Sequence, residues 1–210
     1  DILILAVGEK VTDNDSGGNT GGEGDDRASI GLPGQQQSLV DLVLSAGKPV
    51  IALIFSGGSV SVDSLKASPN AAVLYCGFGG EQGQNAAVDV LFGDVAPSGR
   101  LPFTVYAQAW GDATPMGDGV SPMSMQAGAG RSYKYLRPDA PNNTGIPLYP
   151  FGAGIGYAEL SLAPKSPPGT VVAIQPTPTE VCLSLKSSPE SRAGGGVVVT
   201  VFSRALRENL

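Results

Sequence analysis

Hydrophobic residues fall in short unbroken runs separated by polar, glycine-rich stretches. Asp1 to Val7 (DILILAV), Val50 to Phe55 (VIALIF) and Ala71 to Cys76 (AAVLYC) are such runs. Each has strand length and no polar alternation, the pattern of a parallel strand buried on both faces. Between them, Gln35 to Ala46 repeats apolar residues at Leu39, Val40, Val43 and Leu44, one side of a helix, and Gly47 is a fitting stop. A second helix is predicted from Gln82 to Phe92, with Ala86 and Val90, joined by Ala87 and Leu91, facing inward. Leu101 to Val105 (LPFTV) reads as an edge strand, because Pro102 has no N–H for a central ladder.

Strands alternating with helices make an α/β fold: a mostly parallel sheet sandwiched by helices. From Gln108 to Pro150 the pattern dissolves into a long irregular connector. Beyond Ala158 only sparse short strands separate Pro-rich turns, the opening of an all-β domain. The expected division is 1–156 for the α/β/α domain and 157–210 for part of a β domain. There is no internal repeat. The first strand has no charged or cleavage-site flank, so it is not a signal peptide. A chain that opens in mid-strand and ends just after a new β pattern, Gly196 to Phe202, reads as part of a longer polypeptide.

The 210 residues carry a net charge of −6 and no basic cluster, which disfavours nucleic acid and anionic membranes as partners. No apolar stretch approaches the roughly 20 residues of a spanning helix. Histidine is absent, so the chain supplies neither a Ser-His-Asp or Cys-His pair nor a His-based zinc site. Chemistry near neutral pH must lean on carboxylates. Cys76 and Cys182 are far apart in sequence and read as buried small groups or as a bridge, with nothing in the spacing to decide.

The carboxylates concentrate in one place. Gly8 to Ser29 (GEKVTDNDSGGNTGGEGDDRAS) holds six acidic residues: Glu9, Asp13, Asp15, Glu23, Asp25 and Asp26. A loop that follows a parallel strand leaves from the carboxyl edge of the sheet, where open α/β sheets bind ligands. Its length exceeds the usual connection of about 2–6 residues, itself a sign of function.

Four blocks, in order, now resemble a known family. They are Glu23-Gly24-Asp25-Asp26-Arg27 with Ile30-Gly31-Leu32-Pro33 and Gln36-Gln37-Ser38-Leu39; Lys48-Pro49-Val50 through Phe55-Ser56-Gly57-Gly58; Gly79-Gly80-Glu81-Gln82-Gly83 through Asp89-Val90-Leu91-Phe92-Gly93-Asp94 and Pro97-Ser98-Gly99-Arg100-Leu101-Pro102; and Arg131-Ser132-Tyr133-Lys134-Tyr135 with Pro147 to Tyr157. Together they resemble the second, α/β sandwich domain of family 3 glycoside hydrolases. The tail after Tyr157 is similar to the opening of the family's fibronectin type III-like domain.

The resemblance implies retaining hydrolysis of β-glucosides, β-xylosides or related sugars, without cofactor or metal. The nucleophilic aspartate is then expected on a preceding (β/α)8 barrel, of the same protein or a partner chain, and the acid/base on the loop corresponding to Gly8 to Ser29. Retaining glycosidases hold two carboxyl groups about 5–5.5 Å apart, and the acid/base must start protonated, which burial favours. Glu23, four residues before Arg27, is the expected acid/base; Glu9, close behind the first strand, is the alternative. The 210 residues alone are expected to be inactive. A different class of function stands beside this one: a noncatalytic carbohydrate-binding or structural assembly module that has kept the fold.

Other features read as structural. Asp26 and Arg27 suit an ion pair or a cap before the Gln35 helix. Asp13 and Asp15 lack the further spacing of a calcium loop. Gly77 to Gly83 (GFGGEQG) misses the dinucleotide and P-loop registers, so its glycines serve a tight turn, and Glu81 is placed to cap the helix that follows. Tyr133, Tyr135, Tyr149 and Phe151 read as packing groups, and Trp110 as packing ahead of a sugar platform. Asn14-Asp15-Ser16 and Asn142-Asn143-Thr144 match the N-glycosylation acceptor and fit a secreted, extracellular or cell-wall protein.

Overall fold

A computed structural model describes residues 1–9, 29–113 and 146–157, together with strands 160–164 and 183–187. Three parallel strands form its sheet: β1 (Leu3–Gly8), β2 (Val50–Phe55) and β3 (Ala71–Tyr75), in that spatial order. Leu5 pairs with Ala52, which pairs in turn with Val73, and Val7 with Ile54, which pairs with Tyr75. The apolar runs thus became parallel strands, as their lack of alternation predicts.

Helix α1 (Gln36–Ser45) connects β1 to β2, and the short α2 (Asp63–Ala67) connects β2 to β3. Among the described residues one cluster forms the core of this sheet: Leu5, Val7, Val50, Ala52 and Ile54 meet Leu32, Val40, Val60, Val62 and Leu65. Val40 is the buried anchor of α1, while Val43 and Leu44 pack at the margin. Leu39, predicted to face inward, is 44% exposed; it sits one position before Val40, rotated about 100° around the axis. Gly47, in the left-handed region at φ 66°, donates its N–H to the Leu44 carbonyl and ends the helix as expected.

Helix α3 (Gly83–Phe92) follows a single 3-10 turn, Gly80–Gln82. Its buried residue is Ala87, with Val90 and Leu91 half-buried, whereas Ala86, predicted inward, is exposed. Residues 63–67 carry a helix that sequence periodicity did not show, because five residues are too few to display a 3.6-residue repeat. The expected connector from Gln108 begins with another short helix, α4 (Gln108–Ala113).

The expected edge strand at Leu101 to Val105 does not join the sheet. It runs antiparallel beside 148–153 instead. Val105 donates to the Tyr149 carbonyl at 2.8 Å, Leu101 to Ala153 at 2.9 Å, and Gly152 returns a bond to Leu101 at 2.9 Å. Between these two points Phe151 donates its N–H to the Thr104 hydroxyl at 3.2 Å, and Val105 and Tyr149 form an isolated bridge rather than part of a ladder. Val105 is fully buried. The Tyr75 ring meets Phe103 edge-to-face at 5.8 Å, and the Lys66 ammonium lies 4.5 Å over Tyr149. Both contacts tie this hairpin-like pair to the β3 side of the core.

Strands β4 (Leu160–Pro164) and β5 (Leu183–Ser187) make a separate antiparallel pair. The rest of the expected fibronectin-like segment lies outside the described residues. No helix among the described residues is long and apolar enough to cross a membrane.

Candidate active site

Parallel strands place all their carboxyl ends along one edge. Here Gly8-Glu9, Ser56-Gly57-Gly58-Ser59 and Cys76-Gly77-Phe78 emerge side by side, since Gly8 is opposite Phe55 and Ile54 is opposite Tyr75. Glu9 extends the ladder by one residue: its N–H donates to the Phe55 carbonyl at 3.0 Å. Its side chain is half-buried at the point where the acidic loop departs. Glu23, the other candidate, lies outside the described residues, as do Asp13, Asp15, Asp25, Asp26 and Arg27.

Two side-chain amides hold the roots of that loop. At its departure, Gly8 donates its N–H to Gln36 Oε1 at 2.7 Å and accepts from Gln36 Nε2 at 2.8 Å. Among the described residues β1 is an edge strand and no strand pairs with the outward peptide groups of Gly8; the Gln36 amide bonds them instead. Only glycine fits there, because a Cβ would fall 1.8 Å from the Phe55 carbonyl oxygen. At the return, Gln108 Nε2 donates to Ser29 Oγ at 3.1 Å, and Gly31 N–H donates to the same oxygen at 3.2 Å. The Ile30 carbonyl accepts from Ser61 N–H at 2.8 Å. Asp63 joins these parts, binding the Ser61 hydroxyl and accepting the Gln108 backbone N–H at 3.0 Å.

The other groups on this edge are occupied structurally. Ser56 is buried; its hydroxyl donates to the Gly58 carbonyl at 2.8 Å and accepts the Gly58 N–H at 3.3 Å, closing a turn. Tyr75 donates its hydroxyl to the Val60 carbonyl at 2.5 Å, and burial first, then the neighbouring Tyr149, raises its pKa well above the ordinary phenol range. Cys76 is a free thiol whose pKa burial also raises, with a backbone hydrogen bond at Ile54 partly opposing. A thiol held neutral in this way is a poor nucleophile. Glu81 sits exposed in the 3-10 turn, and neither that turn nor α3 has a side-chain cap. Trp110 stacks on Tyr106 at 4.0 Å, which commits one face of the indole to packing. Tyr149 packs against the core as expected, and Phe151 is half-buried. Tyr133, Tyr135, Asn14, Asn142 and Cys182 lie outside the described residues. Among the described residues no group of three or more acidic, His or Cys side chains is placed to hold a metal.

Sequence reasoning missed Gln36, Gln108 and Phe78. Phe78 is 55% exposed and lies against Gly57, where a Cβ would come within 2.5 Å of its ring. Gln36 had a faint signal: a long amide at the first position of a helix, where an acidic or small capping residue is usual.

With this geometry in place, comparison with known proteins identifies the class. The model of the glycosyl hydrolase family 3 C-terminal domain matches residues 1–157, and the chain belongs to that family. Beta-xylosidase/alpha-L-arabinofuranosidase 2 of Medicago sativa subsp. varia is 37% identical over 171 residues, which are 78% of this chain and 20% of that protein. Probable beta-D-xylosidase 6 of Arabidopsis thaliana is 35% identical over 70% of this chain and 18% of its own. Among solved structures, the Beta-D-glucoside glucohydrolase of Trichoderma reesei superposes with a TM-score of 0.59 at 28% identity, over 78% of this chain and 22% of that one. The chain therefore spans about a fifth of the length of the relatives it matches.

Proposed function

We propose that this chain supplies the acid/base carboxylate to the active site of a retaining β-glycosidase, completed by a (β/α)8 barrel that carries the nucleophilic aspartate. The observation that carries the reading is the acidic loop itself. It leaves the carboxyl edge of a parallel sheet directly behind β1, and both its roots are held by side-chain hydrogen bonds. Glu23 is the acid/base, with Glu9 as the alternative. In the first step the protonated carboxyl gives its proton to the glycosidic oxygen while the aspartate attacks the anomeric carbon. In the second, the resulting carboxylate takes a proton from water as water displaces the enzyme. One carboxyl group without its partner performs neither step, so the 210 residues alone are inactive.

The substrate is a β-linked glycoside or oligosaccharide. Xylosidases of plants match at 35–37% identity and the solved glucohydrolase at 28%, which favours a β-xyloside over a β-glucoside. The α/β domain occupies 1–156, and the β4–β5 pair belongs to a partial fibronectin type III-like domain at 157–210. The two glycosylation tripeptides support secretion.

The test uses the polypeptide that joins this domain to its barrel. Glu23→Gln should lower kcat/KM on an alkyl β-xyloside by about 10²- to 10⁴-fold, and azide should partly restore kcat only on a dinitrophenyl β-xyloside, whose departure needs no proton and whose second step azide accelerates. If Glu23→Gln leaves rate and pH profile unchanged while Glu9→Gln abolishes them, the roles exchange. If neither does, the acid/base is another group and the assignment fails; if the upstream barrel lacks its aspartate, the chain is a noncatalytic carbohydrate-binding or assembly module.

A further inference from the structure

We infer that Phe78 is an aromatic platform for the leaving-group sugar of the substrate, standing on the carboxyl edge of the sheet with Gly57 beneath its ring. The inference rests on the glycosidase reading above and names a subsite which that reading leaves open.

Phe78 is large, apolar and 55% exposed, yet it is held firmly. The ladder of β3 ends with the Cys76 N–H on the Ile54 carbonyl at 2.8 Å, and Gly77 then turns the chain in the left-handed region at φ 64°. On the far side Gly79 lies against Gly83, where a Cβ would come within 2.4 Å of the Gly83 Cα. The ring itself rests on Gly57, whose missing Cβ leaves room for the Cε2 and Cδ2 edge. Gly57 belongs to the turn that the buried Ser56 closes with its hydroxyl. Backbone therefore fixes the ring from beneath, while more than half of the residue still faces water.

A ring held in this way costs free energy in water until something covers it. The surroundings favour a small ligand over a protein surface. Gly57, Gly79 and Gly80 beside it are exposed and bear no side chain, and Glu81 and Gln82, next along the turn, are exposed polar groups. A protein interface surrounds its anchors with a broader apolar core, within about 800 Å² on each side. One aromatic face with a few polar groups is the make-up of a small-molecule site. A pyranose suits it: the C–H hydrogens of one sugar face carry partial positive charge and meet the negative face of the aromatic ring. The place along the edge suits the leaving side. Glu9 and Cys76 donate their N–H groups to adjacent β2 carbonyls, Phe55 and Ile54, so the end of β3 stands two strand spacings, about 10 Å, from the end of β1. The acid/base carboxyl gives its proton to the oxygen that departs, and the aspartate of the barrel attacks from the opposite side of the anomeric carbon. The domain that supplies the proton therefore faces the leaving group.

Two substrates separate this role from a structural one. Xylobiose, β-1,4-linked, and methyl β-xyloside both leave as alkyl oxygens that need the proton, but only the first has a sugar on the leaving side. In the barrel-containing polypeptide, Phe78→Ala should lower kcat/KM for xylobiose relative to methyl β-xyloside by about 5- to 30-fold. Phe78→Trp should keep most of that ratio, because another aromatic face replaces the first. Circular dichroism and the melting temperature establish that each variant is folded. An unchanged ratio overturns the inference, whether both rates are kept or both fall together; a common fall with a lowered melting temperature assigns Phe78 to packing against the barrel. Glu23→Gln and Glu9→Gln test the acid/base reading separately, because loss of the proton donor slows both substrates alike. If the unaltered polypeptide hydrolyses neither, the glycosidase reading fails, and titration calorimetry with xylobiose decides the platform by itself. Weaker binding by Phe78→Ala sustains it; equal binding, or none by either protein, overturns it.

Discussion

The two faces of the three-stranded sheet are built from the same kinds of residue and end in different surroundings. On one face Leu3, Leu5 and Val7 stand beside Val50, Ala52 and Ile54, then Ala71, Val73 and Tyr75, and α1, α2 and the 60–62 segment cover them. On the other face Ile4 aligns with Ile51 and Ala72, and Ala6 with Leu53 and Leu74. Of these only Leu53 is buried, at 8% exposure, while Ile4 remains 59% exposed. Apolar strands of this type occur where both faces of a parallel sheet are covered. The difference separates two demands on one sequence. The first face holds the fold together and fixes α1, hence Gln36, against β1. The second has the residues of an interior without an interior's burial.

The largest effect should come from the covered face. Ile54→Ala, at a fully buried position, should cost about 2–5 kcal/mol, read from the urea midpoint. Gly8→Ala should cost about 1–3 kcal/mol, because its new Cβ collides with the Phe55 backbone. Tyr75→Phe should cost about 1 kcal/mol near neutral pH by losing the bond to Val60. It should also flatten the alkaline limb of stability. The folded protein holds the Tyr75 proton above the ordinary range, and the unfolded chain releases it near pH 10. The unfolded state therefore loses its proton first, so the contribution of this phenol is intact below about pH 10 and declines above it.

The second face should respond least. Ile4→Ser should change stability by no more than about 0.5 kcal/mol, as at other exposed positions. A loss as large as that of Ile54→Ala would mean that this face is covered in the protein and would erase the contrast. Cys76 follows Leu74 on this side of β3 and reports its carboxyl end chemically. Its raised pKa predicts slow alkylation by iodoacetamide at neutral pH, with the rate still climbing above the usual thiol range. Rapid alkylation at pH 7 would show that water reaches the thiol freely.

Much of this was legible along the chain. Runs such as VIALIF carry no alternation, so their assignment to parallel strands needs only local pattern, and Gly47 stops α1 through its own backbone freedom. The acidic loop was visible as composition, and its place at the carboxyl edge follows from the direction of β1. Where reading failed, the deciding partner was remote. Ala86 and Ala87 are alike in sequence, and only packing buries the second. Leu101 to Val105 has strand character, yet its partner is 148–153, some 45 residues away, and not the sheet.

The candidate site divides along the same line. Residue type names the carboxylates as candidates, because histidine is absent and acid–base chemistry near neutral pH then falls to them. Local pattern likewise yields the strands, the first helix and the loop between them. The pairing of Gln36 with Gly8, of Gln108 with Ser29 and of Tyr75 with Val60 arises across 28, 79 and 15 residues. A hydrogen bond depends on distance and angle in space, and neither is written in the spacing of residues along a chain until the sheet and helices have been packed.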